Sequence, residues 1–494
     1  MIHKRYIIIV LGMALSIAWG HAQTLSNNKL RRGLDDFRKQ TRKEFEDFRK
    51  QAMNEFIIFV RNPWKDFEHT APVPVPEEKP VPPVVMPEED EQKPVEEKPI
   101  VIEEVVTPKP PQPQPQPIEP IIEVPVEVQK YTAFTFFGTQ CKVRFDSDIK
   151  LTLDGASNNN VADALQTLTG NSYDNMIIDC LALRDSLQLS DWAYLQMLRS
   201  LAYSIEGERT NAATLLMAYL YMQSGYKMRL GANDNRLYML YASKHYIYDH
   251  VSYEIDGETY FGIEQLPTRL SICNVEFPNE KPLSLYINTC QRFTSMPSDI
   301  RRITSKRYGG FGIEASVNKN LMDFYSTYPT SFIDDDIMTR WAMYANTPMD
   351  ITTSNLVYPQ LRRQMEGLSQ LEAVSRLLNM VQTGLVYEYD DKVWGGDRAF
   401  FAEESLFYPY CDCEDRSILL TRLVRDLLGL KCILVYYPGH LASAIEFSEG
   451  NVKGDYIMYK GHKYIIADGT YINAPIGKTM PEMDNATARM IVLD

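Results

Sequence analysis

The sequence predicts an α+β fold: a helix bearing a cysteine at its N-terminus, packed on a small antiparallel sheet. A degenerate second copy of that unit, an N-terminal helix and a proline-rich linker precede it. Three observations predict this. An apolar helical stripe over 418–428 is followed by β-branched and aromatic runs broken by turn residues. Segments of the C-terminal part resemble segments 204 residues upstream. Residues 72–125 hold 17 of the 29 prolines. The chain has 494 residues, too many for one ordinary core.

Residues 1–22 read as a secretory signal. Lys4 and Arg5 form a charged start, Tyr6 to Trp19 an apolar run too short to span a membrane, and Gly20 and Ala22 a small-residue cleavage site before Gln23. No cysteine follows the run, which argues against a lipoprotein anchor. The mature protein is expected to be exported, to periplasm or cell surface. The formal charge of -14 argues against nucleic acid as a partner. Seven cysteines are few for a secreted disulfide framework, and their odd number leaves at least one thiol unpaired within the chain.

Residues 24–69 predict an amphipathic helix. From Leu34 the sequence repeats every 11 residues, and Leu34/Phe37, Phe45/Phe48, Phe56/Phe59 and Phe67 fall on one face. The helix should end near Pro63. Its stripe over 34–62 suits self-association, a membrane surface, or docking on the protein's own body. Residues 70–128 read as a disordered linker rich in Pro and Glu. Between 72 and 125 there are 12 acids and 4 lysines, -8 of the total charge. Such a chain is expected to stay extended and act as a spacer.

Residues 130–275 and 358–494 carry the internal similarity. "TLLMAYLYMQSGYKMRL" from Thr214 resembles "ILLTRLVRDLLGLKCIL" from Ile418, and "DGETYFGIE" resembles "KGHKYIIAD", both at an offset of 204. Upstream, segments from Leu189 and Leu368 match at 179. The 25-residue difference falls in "YEYDDKVWGGDRAFFAEESLFYPY", so the second copy is expected to carry an extra loop. The intervening 276–357 reads as a β-rich connection, with helices returning from Tyr358.

The chemistry concentrates in "YPYCDCEDRSILL". Cys413 sits at a predicted helix N-terminus, where unpaired N–H groups favour a thiolate, while Asp412, Glu414 and Asp415 oppose it. His440 starts a strand after Pro438-Gly439, and Asp468 ends the second arm of a hairpin turning at Lys460–Gly461. Antiparallel neighbours can bring these three together. A cysteine nucleophile, a histidine that takes its proton and a carboxylate that orients the imidazole are what acyl chemistry needs. Cys411 reads as a bystander: zinc would need two more spaced ligands, and a redox pair usually has two intervening residues. His462 reads as a turn histidine facing water.

"DCEDR" before a helix, then "PGHLASAI", then "ADGTY", resemble the transglutaminase-like superfamily, and within it the bacterial transglutaminase-like cysteine proteinases. The resemblance covers about Leu368 to Gly477. It implies a papain-like core with Cys413 as nucleophile, His440 as base and Asp468 as orienting acid. Gly469 stands where the family has proline. The implied activity is hydrolysis of amide bonds in a protein or peptide substrate through a Cys413 thioester. A protein-crosslinking acyl transferase and a non-catalytic scaffold that kept the fold are the alternatives. No cofactor is required. Some relatives bind calcium through the acids flanking the nucleophile, which puts a calcium option at Asp412 and Glu414. Gln382, on the preceding helix, is placed to lend an oxyanion donor. In the first copy Arg209 stands opposite Cys413 and Glu264 opposite Asp468, so residues 130–275 are expected to form a degenerate transglutaminase-like domain, a scaffold or substrate-binding wall.

Overall fold

Two large sheets carry the same strand order. The first runs 269–273, 228–233, 236–242, 258–262, 252–255, and the second runs 489–492, 432–437, 440–446, 462–467, 455–459. Within each set every neighbouring pair is antiparallel. An offset of 204 carries Met228–Asn233 onto Cys432–Tyr437 and Arg236–Ala242 onto His440–Glu446. It also carries helix Asn211–Gln223 into helix Cys413–Leu428.

These coordinates come from a computed structural model describing residues 27–493, apart from 77–78, 92, 110–111, 118–120, 127, 171–172 and 334–335. The leader expected over 1–22 lies outside them. The architecture is mixed α and β, consistent with α+β. One apolar core runs through both units and includes Leu216 and its counterpart Leu420. Among the described residues no helix is long and apolar enough to cross a membrane.

Local rules set the boundaries of the second unit. Helix Gln370–Gly384 starts at a capping box of Ser369 and Glu372. Helix Cys413–Leu428 stops at Gly429, whose φ of 66° is left-handed, as expected of its glycine. The hairpin turns at Lys460 and Gly461, both with positive φ.

Three expectations need correction. First, the N-terminal helix spans Asn27–Val60, but its 11-residue stripe is not a uniform buried face. Met53, Phe56, Ile57 and Val60 pack into the core of the chain's own body, whereas Phe37 and Phe59 are half exposed. Phe67 belongs to strand Lys65–Glu68, because the turn at 61–64 breaks the helical period. Leu34 and Phe45 have no described side chains.

Second, the proline-rich segment is extended but is not a free spacer. Val84–Val85 pairs in parallel with Tyr471–Ile472, Lys98–Ile100 with strand Asp455–Tyr459, and Glu104–Val106 with strand Arg489–Val492. Proline is tolerated at sheet edges, and Met86, Ile100 and Val106 between the prolines supply apolar anchors that composition alone hides.

Third, the 276–357 connection is less strand-rich than expected. It holds one hairpin (Arg301–Thr304 with Gly312–Ala315), the short strand Ser331–Ile333, and helices Lys319–Tyr325 and Thr339–Asn346. Around 281–283 only isolated bridges form, between prolines. Helix Ile351–Met365 contains Tyr358, so the second unit's helices begin before residue 358.

Candidate active site

Cys413 opens its helix, His440 opens the neighbouring strand, and Asp468 follows the end of strand His462–Ala467. The three side chains are almost fully buried. His440 Nε2 lies 2.8 Å from Asp468 Oδ2, and Asp468 Oδ1 accepts the backbone N–H groups of Thr470 (2.8 Å) and Tyr471 (3.2 Å). Burial works against the Asp468 charge, but His440 and these amides hold its carboxyl below the usual value. An ionised carboxylate only accepts, so Nε2 carries a proton, and in the neutral ring Nδ1 is then the acceptor. That Nδ1 is buried without a partner.

Cys413 and His440 line one cavity of about 630 Å³. Helix and strand are locked together beside them: Ser417 Oγ donates to the Leu441 carbonyl at 2.8 Å. The thiol's own hydrogen goes to Glu414 Oε2, 3.1 Å away. Burial, Glu414 and Asp412 push this thiol well above its ordinary pKa, so it rests protonated.

Gln382 is not an oxyanion donor. Its Nε2 donates to the carbonyls of Asp468 (2.9 Å), Tyr471 (2.8 Å) and Ala474 (3.1 Å), which commits both amide hydrogens. Arg416 adds a second clamp, donating to the carbonyls of Gly469 and Leu385 at 3.1 Å each. These two side chains hold the Asp468 turn. The close fit of Gly469 on Arg416 Cβ, 3.1 Å from where a Cβ would lie, explains a small residue there.

The extra loop of the second unit supplies residues the sequence reading missed. Asp390 and Asp397 come to the acids that flank Cys413. Carboxylate oxygens of Asp390, Asp412 and Asp415 lie within 4.8 Å of one another, as do those of Asp390, Asp397 and Glu414. Arg340 pairs with Asp397 at 2.5 Å and reaches Glu414 at 3.9 Å. Burial and the neighbouring carboxylates push Asp390 up to about 8 and Asp412 and Asp415 well above their ordinary range. Asp412 Oδ1 is buried without a hydrogen-bond partner. If ionised, these crowded carboxylate oxygens, with the unpartnered Asp412 Oδ1 among them, are the donor type a hard divalent cation would take. Only the 25-residue difference between the two offsets hinted at this in the sequence.

Tyr387 was also missed. It pairs in register with Cys411, its ring lies under the Arg416 guanidinium, and its hydroxyl is buried without a partner. Cys411 is a buried thiol pushed up to about 11 by burial, and all seven cysteines are free. His462 is half exposed and bonds Glu446 at 2.5 Å.

The chain matches no protein-family model, no curated protein and no solved structure.

Proposed function

We propose that this chain is an exported, transglutaminase-like cysteine hydrolase that cleaves amide bonds of a protein or peptide through a thioester on Cys413. The observation that carries the reading is the His440 ring: one nitrogen tied to Asp468, the other unpartnered in the cavity that Cys413 lines. A helix that starts at the nucleophile and packs on an antiparallel sheet also supports a papain-like core.

The steps follow from these groups. The Cys413 S–H proton passes to His440 Nδ1 as sulfur attacks the carbonyl carbon. The N–H groups of Cys413 and Glu414 at the helix start and the Tyr387 hydroxyl are the donors proposed for the oxyanion. Collapse breaks the C–N bond, and His440 gives its proton to the leaving amine. Water then adds to the thioester, losing its proton to His440. The C–S bond breaks and the proton returns to sulfur. Asp468 holds the imidazole tautomer throughout. A divalent cation held by Asp390, Asp412 and Asp415, or by Asp390, Asp397 and Glu414, would supply positive charge against these acids.

The 3.1 Å contact of Cys413 with Glu414 favours the rival, a non-catalytic scaffold, because it diverts the thiol from His440. Amine release from a panel of peptide amides, by wild type and Cys413→Ala, separates the two. Turnover lost in the variant supports the hydrolase, and equal release from both proteins, or none from either, contradicts it. Product analysis with an added primary amine distinguishes hydrolysis from acyl transfer.

A further inference from the structure

The cavity at Cys413 has a wall made by the chain's own N-terminal segment. Pro74, Val75, Pro76 and Pro80 line it together with Cys413 and His440. The segment bridges the two units. At one end Asp249 of the first unit donates its N–H to the Val73 carbonyl at 2.9 Å. At the other, Val81 N–H donates to the Gly439 carbonyl at 2.9 Å, one residue before His440. The segment then pairs with Tyr471–Ile472, just beyond Asp468, and Met86 N–H donates to the Ile472 carbonyl at 2.9 Å. Met86 fills a small apolar recess with Tyr471, Ala474 and Met480.

This contact is fitted closely. Gly439 has φ of 76°, and a Cβ there would overlap the Lys79 carbonyl. Main-chain contacts predominate along 79–86, as when an extended peptide adds to a sheet edge. Such contacts read an extended backbone, and the Met86 recess reads one apolar side chain.

We infer that residues 74–76 and 79–86 occupy the path by which an extended polypeptide substrate enters the Cys413–His440 cavity, as a built-in strap that substrate displaces. The inference rests on reading Cys413 as the nucleophile of a peptide-directed enzyme. It makes the substrate an unfolded or strand-like segment with an apolar residue for the Met86 recess. A folded helical surface would not follow this track.

The test measures alkylation of Cys413 by iodoacetamide, read by mass spectrometry, in the full chain. Two variants release the strap: Met86→Asp, and replacement of residues 74–86 by a Gly/Ser stretch of equal length. Cooperative thermal unfolding shows that each is folded. Alkylation should rise by about tenfold or more, as for opening of a local cover. A synthetic peptide of residues 72–86 should slow it again saturably, and a scrambled peptide should not. Wild-type alkylation rates in both folded variants would overturn the inference, as would a peptide that gives no protection. Alkylation reports the cover whether or not the enzyme turns over, so its outcome is separable from that of the hydrolysis assay.

Discussion

Arg236 pairs with Glu264 in the first unit at the positions that, 204 residues later, His440 and Asp468 hold in the second. Both are charged or chargeable pairs joining the start of one strand to the end of another, so the pairing is common to the two units while the residue types are not. With Arg209 opposite Cys413, the first unit has the pair without the cysteine.

The second pair should be sensitive to charge. Asp468→Asn keeps the shape but lets the side-chain amide donate, which favours the wrong imidazole tautomer. A loss in kcat of about 10³–10⁴ is expected, with the fold intact by circular dichroism.

Gln382→Ala should act on stability. It strips donors from three buried carbonyls, so unfolding free energy should fall by about 2–4 kcal/mol in urea titration. Gln382→Glu, which replaces the donor with an acceptor, should be at least as damaging.

Glu403 gives a pH signature. Burial pushes this carboxyl up to about 8 from an ordinary value of 4.5. A raised acid binds its proton more tightly when folded, so its contribution is complete below about pH 4.5 and is lost as pH rises towards 8. Glu403→Gln keeps an acceptor for the Asp350 N–H, and should flatten that part of the stability curve. The gain near pH 8 should be about 4 kcal/mol.

The acid cluster predicts cation dependence. Millimolar calcium should raise the unfolding midpoint of wild type, a chelator should reverse it, and Asp412→Asn should abolish most of the shift. Calorimetry at matched ionic strength separates this from general screening.

Much of the second unit was legible because local rules act there. Gly429, the turn at Lys460–Gly461 and the apolar stripe from Ile418 fix their elements within a few residues. The spacing of His440 and Asp468 followed from strand boundaries. Three things were hidden. The partners of Gln382 are carbonyls on a loop 86 to 92 residues away, which no local pattern encodes. Asp390 and Asp397 reach the acids beside Cys413 through the fold of a loop with no periodicity. The strap failed for a compositional reason: proline content predicts an extended chain, but not whether an edge and an apolar recess await it.

Labelling of the intact protein by a thiol-directed peptide electrophile tests the central claim most directly. The account predicts that wild type takes up one equivalent, on Cys413, and that His440→Ala slows uptake. Cys413→Ala should take up none, although six other thiols remain. Equal labelling of wild type and Cys413→Ala would contradict it.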